Sequence, residues 1–170
     1  MADHDAFAVF VDASSRGLLR AAWLLTGDWA LAEDLAQTAL AATWQRWTTL
    51  DGIEQPEAYV RRVMVTTYLR WNRRRWRGEI PSARLPERPA EDATLARVEL
   101  VDAIDAALSV LSPRQRAVVV LRYFADLSEV QTAAALGCSV GTVKSHAAKA
   151  LAKLHEVPGL AEIMEGSHHE

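Results

Sequence analysis

Apolar residues recur at helical spacing along almost the whole chain, and sustained two-residue alternation is scarce. Phe7, Phe10 and Val11 open a first stripe that continues through Leu18, Leu19 and Ala22. Thr26-Gly27-Asp28 reads as a turn. A second helix is predicted over 29–47, with Leu40, Trp44 and Trp47 on one face. Asp51-Gly52 breaks it, and Pro56 and Glu57 suit the first turn of a third helix over 57–76. Residues 78–93 then carry three prolines and no clear period, the pattern of a linker. Beyond it, Leu95, Val98, Val101, Ile104, Leu108 and Leu111 resume helical spacing. Ser112-Pro113-Arg114-Gln115 opens another helix: Ser112 as N-cap, Pro113 at the first helical position, Gln115 closing a capping box. That helix is expected to end near Asp126 and to absorb the strand-like run 118–121. Arg122 is expected at the surface, because burying an unpaired charge is costly.

A tighter signal follows. Ser128 and Gln131 form a second capping box, opening a short helix. Gly137 stands where that helix must end and the chain turn, since glycine takes positive φ cheaply. Ser139 then caps a longer helix, so the segment matches a helix-turn-helix unit. At about 100° per residue, Val140, Val143, Ala147, Leu151 and Leu154 share one face. Ser145, His146, Lys149 and Lys153 fall opposite, close to Thr142, and Lys144 lies on the flank with a stem long enough to reach a phosphate. Hydroxyl, imidazole and ammonium without an acid suit phosphates and base edges in a major groove. The competing reading is a solvated basic face. His146 lacks neighbours at metal-ligand spacing, and Cys138 is expected to pack as a small buried residue.

Charge sharpens this picture. The 170 residues carry a net −3, but unevenly. Residues 59–78 hold seven arginines and no acid, and residues 113–155 hold six basic against two acidic side chains. Acidic segments flank both islands, a pattern that fits two separate contacts with a polyanion and weak DNA binding by the free chain. In the first island the arginines interleave with Tyr68, Trp71 and Trp76, which could stack on unpaired bases. All six tryptophans precede the proline-rich stretch, so two small helical units are expected, each with a core too small for comfort. One cysteine excludes an internal disulfide, no apolar run approaches the roughly 20 residues of a membrane helix, and residues 1–7 lack the basic start of a secretory signal. No phosphate-binding glycine loop or nucleophile–base pair is recognisable, so no catalytic site, cofactor or metal is expected.

Three stretches together resemble one family. They are Ala32-Glu33-Asp34-Leu35-Ala36-Gln37 with Trp44, then Pro56-Glu57-Ala58-Tyr59-Val60-Arg61-Arg62 with the arginine run behind it, and finally Leu111-Ser112-Pro113-Arg114-Gln115-Arg116 with Val140-Gly141-Thr142-Val143-Lys144-Ser145. In this order they resemble a small two-domain bacterial sigma factor of the extracytoplasmic-function group, over about residues 7–154. The resemblance implies an all-α protein divided into a region 2-like unit (1–77), a linker (78–93), a region 4-like helix-turn-helix unit (94–156) and a tail (157–170). It implies a dissociable subunit of RNA polymerase rather than an enzyme, working in the cytoplasm without membrane insertion. Asp34 and Gln37 would dock on the clamp helices of core RNA polymerase. Thr66, Arg70, Arg73 and Arg74 would lie near the melted minus-ten element of promoter DNA. Thr142, Lys144, Ser145, His146 and Lys149 would read the minus-thirty-five element. An anti-sigma factor is expected as a regulator. The chain departs from the family pattern at His146, where Arg is common, at Ala148, where a larger side chain is frequent, and at Thr38 and Leu40, in place of Glu and Phe. The last motif alone also suits LuxR-type proteins, so the alternative is an autonomous helix-turn-helix regulator with an N-terminal sensor or dimerisation domain.

Overall fold

A computed structural model describes residues 2–50, 55–78 and 95–160. Among them every regular element is a helix. Apart from Gly78, the expected linker lies outside the described residues, as does the tail beyond Leu160.

The first half is three helices: α1 (Ala2–Thr26), α2 (Trp29–Leu50) and α3 (Pro56–Trp76). The expected boundaries hold to within one residue for α3, while α2 runs three residues past its predicted end. The α1–α2 turn is built by local chemistry. Gly27 takes φ +67, and buried Asp28 caps α2 by accepting the Leu31 N–H at 3.0 Å. Ala22, Leu25, Ala32, Leu35, Ala39, Val60, Met64 and Val65 are almost fully buried between the three helices. Thr43 is also buried, at no polar cost, because its hydroxyl donates to the Ala39 carbonyl at 2.8 Å.

The second half contains α4 (Leu95–Ser109), α5 (Pro113–Val119), α6 (Glu129–Leu136) and α7 (Val140–His155). Both predicted capping boxes form: Gln115 N–H donates to Ser112 Oγ at 3.2 Å and Gln131 N–H to Ser128 Oγ at 3.1 Å, with each glutamine carbonyl returning to the cap N–H. Beyond Val119 the helix loosens into a π turn (Val120–Phe124), closed by Ala125 N–H on the Val120 carbonyl at 2.9 Å. It stops at Asp126, whose φ of +56 leaves helical space. Gly137 sits in the left-handed region between α6 and α7, as its place in the motif predicts.

Two expectations about burial are corrected. Arg122 is half-buried rather than free, because its Nη1 donates to the Leu127 carbonyl and so satisfies the bend after the π turn. Cys138 is only half-buried, resting on the rim of the core. The two helical units meet in one continuous cluster, which runs from Leu18, Leu25 and Tyr68 to Leu108, Leu111, Val118 and Val143. α3 packs against α6, and α1 packs against α5 and the π turn. The partner that each undersized core needs is the other half.

Candidate nucleic-acid interface

The helix-turn-helix surface begins at the cap of α7. Ser139 Oγ accepts the Thr142 N–H at 3.1 Å, and the two hydroxyls lie 2.9 Å apart. The N-terminus of α7 is thereby held by residues that are themselves polar and small. Val143 and Ala150 are fully buried and anchor the helix, with Val140, Ala147 and Leu154 packed around them. Ala150 completes this face, beside the Val140, Val143, Ala147 and Leu154 expected from the helical angles. Opposite this face Ser145, Ala148 and Lys149 are exposed. Lys144 is exposed as well and lies 3.7 Å from Glu129 of α6, a solvent-screened pair that holds it loosely.

One residue of this face differs from expectation. His146 is half-buried rather than fully outward, with Nδ1 enclosed and lacking a hydrogen-bond partner. Loss of hydration, with Arg114 and Lys149 nearby, pushes its pKa below the ordinary histidine value, so the imidazole is neutral at neutral pH. Lys153 is exposed as expected, and its Nζ donates to Gln115 Oε1 at 2.9 Å. Arg114, exposed at the start of α5, was noted only as part of a helix start. Its charge reaches His146, so it belongs to this cationic surface, and only the fold could place it there.

The second cationic surface is α3. Arg70, Arg73 and Arg74 are exposed, as is Arg77 just past the helix end. Arg73, Arg74 and Arg75 occupy the last turn, where the helix dipole favours cations. Thr66 is exposed, but its hydroxyl bonds back to the carbonyls of Arg62 at 2.8 Å and Val63 at 3.1 Å. The aromatic part of the expected site is largely withdrawn. Tyr68 is buried, its phenol pushed above the ordinary pKa chiefly by desolvation, and it cannot stack on a base. Trp71 is half-buried against the core, and the Trp76 side chain lies outside the described residues. What α3 offers is a comb of exposed guanidinium groups on Arg70, Arg73 and Arg74.

A third, uncharged-to-acidic surface lies on α2. Asp34 and Gln37 are both exposed, three residues apart and hence on one face, with the Thr38 hydroxyl folded back onto the Asp34 carbonyl at 2.7 Å. Farther along α2, Trp44 stays partly exposed while its ring meets Phe7 and His4 of α1. The fold thus gathers the predicted residues into three separate groups on α2, α3 and α7. Among the described residues no helix is long and apolar enough to cross a membrane.

Residues 10–78 match the family model for sigma-70 region 2, and residues 102–154 match that for sigma-70, region 4. The chain is 46% identical over 150 residues to the RNA polymerase sigma-E factor of Streptomyces coelicolor, covering 88% of this chain and 84% of that protein. It is 35% identical over 133 residues to the ECF RNA polymerase sigma factor SigL of Mycobacterium tuberculosis, covering 75% of each. Among solved structures it resembles the sigma factor RpoE from Bartonella quintana in complex with the anti-sigma factor NepR, with a TM-score of 0.74 and 24% identity over 93% of this chain and 98% of that one. CnrH in complex with the cytosolic domain of CnrY is similar at a TM-score of 0.68 and 24% identity, over 89% and 86%. With both regions matched in order, and with relatives matched along most of their length, the chain belongs to the sigma-70 family of RNA polymerase sigma factors, in its extracytoplasmic-function group.

Proposed function

We propose that this sigma factor, in the cytoplasm, mounts on core RNA polymerase through residues 1–77 and reads a promoter at two places. Asp34 and Gln37 on α2 form the polymerase contact. Arg70, Arg73 and Arg74, with Thr66 on the same helix, hold the melted minus-ten strand. Thr142, Lys144, Ser145, His146 and Lys149 within residues 94–156 face the minus-thirty-five duplex, and residues 78–93 join the two units. The tail 157–170 has no part in this scheme.

The supporting observation is that two exposed cationic surfaces occur on two different helices, with different chemistry. α3 presents free arginines, which neutralise phosphate without reading sequence. α7 presents short hydroxyls near its N-terminus and lysines farther on, and the N-terminal residues of a recognition helix are those that contact base edges. With Tyr68 in the core and Trp71 half-buried against it, grip on the melted strand rests on guanidinium groups more than on a stacking platform. Neither contact is strong alone. Mounting both on polymerase makes each raise the effective concentration of the other.

An anti-sigma factor is the proposed regulator; the Bartonella quintana structure named above is a sigma factor in complex with such a protein. The autonomous-regulator alternative is not favoured, because the N-terminal half is sigma region 2 rather than a sensor. The test is co-purification with core polymerase followed by promoter footprinting. Two protected patches that appear only with polymerase present are expected. A footprint made by the chain alone at moderate salt would overturn the reading.

A further inference from the structure

One face of α3 carries a different chemistry from its arginine comb. Tyr68, Trp71, Asn72 and Arg75 stand at i, i+3, i+4 and i+7, the spacing that stacks side chains along one side of a helix. Together they line one wall of a cleft of about 470 Å³. Leu111, Pro113 and Arg116, from the α4–α5 turn and the start of α5, line it as well, and the end of α1 adds Leu25. The volume falls within the roughly 300–1,000 Å³ of small-molecule sites, and the lining has their make-up, apolar side chains with a few placed polar ones.

The two guanidinium groups of this cleft are in different electrostatic states. Arg116 is 8% exposed and already satisfied: Nε donates to the Leu24 carbonyl at 2.6 Å, and Nη2 lies 3.2 Å from Asp105 Oδ1. Arg75 is half-buried, whereas Arg70, Arg73 and Arg74 are exposed. No carboxylate among the described residues pairs with Arg75. Burial raises the pKa of the Tyr68 phenol, and the charges of Arg116 and Arg75 hold that rise back, so both cations act at the same hydroxyl. The phenol stays a neutral O–H, able to donate. A cation drawn partly out of water without a counter-ion is costly, and an entering anion would supply the missing partner. On the same wall Trp71 offers an indole surface, and Asn72 is fixed by donating from Nδ2 to the Tyr68 carbonyl at 3.0 Å.

We propose that this cleft binds a small aromatic anion, a planar ring bearing one carboxylate or phosphate group, with the anionic group on Arg75 and the ring against Trp71 and the apolar walls. Asp105 neutralises Arg116, so the cleft holds one uncompensated positive charge and suits a ligand with a single anionic group. Arg75 is not among the α3 arginines assigned to the melted strand, so the site is separate from the promoter contacts. Its walls come from α1, α3 and α5, so an occupant stabilises the whole chain by mass action.

The test is an NMR titration of the full chain with 2-naphthoate, its neutral amide, acetate and adenosine monophosphate. 2-Naphthoate is expected to shift the backbone amide signals of Asn72, Arg75 and Leu111 saturably, with a Kd of about 1 mM or below, and to raise the thermal midpoint. The neutral amide and acetate should each bind at least about ten-fold more weakly, because one lacks the charge and the other the ring. Tighter binding of adenosine monophosphate than of 2-naphthoate assigns the site to nucleotides, and the reverse order assigns it to aromatic carboxylates. Arg75→Gln, checked for folding by circular dichroism, should reduce 2-naphthoate binding to the level of the amide. Should that variant fail to fold, the comparison of 2-naphthoate with its amide in the parent chain decides. The site is overturned by an amide that binds as tightly as the acid, by shifts confined to other parts of the chain, by no saturation below about 10 mM, or by a folded Arg75→Gln that binds as the parent does.

Discussion

In α3 the free cations gather toward the C-terminal end, on long guanidinium side chains that follow a phosphate wherever it runs. In α7 the polar groups begin at the N-terminal cap and are short before they are long: half-buried Thr142 and exposed Ser145, then exposed Lys149. Both stretches are simply basic when charge alone is counted. The difference lies in how firmly each backbone is placed. α7 is capped by Ser139 and anchored by Val143 and Ala150, so its side chains can be held in register with base edges. α3 is held by Val60, Met64, Val65 and Tyr68, and spends the Tyr68 ring on the core. A cationic helix that buries its aromatics keeps affinity and gives up much of its capacity to read bases.

The strongest way to break this comparison is to weaken the half that has no tryptophan. Leu121→Ala, at a fully buried site, should cost about 2–5 kcal/mol in urea unfolding. All six tryptophans lie in the first half, so their fluorescence reports that half alone. Because the core is continuous, the fluorescence transition should move with the circular dichroism transition. A fluorescence midpoint that stays in place would mean two independent bodies.

The next effect separates the two helices by kind. Lys149→Ala should weaken promoter binding by about 1–3 kcal/mol and relax preference at one position. Arg73→Ala should instead weaken binding evenly across sequences and lower the salt slope by about 1. Filter binding of the holoenzyme to a promoter library at several salt concentrations distinguishes them, and equal loss of specificity in both would erase the contrast. Ser139→Ala should cost about 1 kcal/mol of thermal stability through the lost cap on α7.

The smallest effect concerns protons at His146. The fold favours the neutral ring, so below the ordinary histidine value the unfolded chain binds the extra proton and stability declines as pH falls. An NMR titration of the His146 ring should give a midpoint below 6.5, and a midpoint at or above it would place the ring in open solvent.

What was legible in the sequence was local chemistry. Ser112, Ser128, Ser139 and Gly137 act through neighbours three or four residues away, and all four do what their positions predict. Asp34, Gln37, Arg70, Arg73, Arg74, Ser145 and Lys149 are exposed as their helical positions suggest. The misses share one cause. Tyr68, His146 and Arg122 look like surface groups until another element covers them, and periodicity does not report which element arrives. Arg116 reads as one more arginine in a helix start, yet its partner is 92 residues away. Seven arginines in a row of twenty residues announce a cationic surface without saying that Tyr68 among them faces inward.

The most direct test is run-off transcription from a footprinted promoter, with core polymerase alone, with the chain added, and with the Arg70→Ala, Arg73→Ala, Arg74→Ala triple variant. Transcripts should start at that promoter only when the chain is present and fall sharply with the triple variant. Initiation by core alone at the same level, or a triple variant as active as the parent, would contradict the assignment of strand capture to α3.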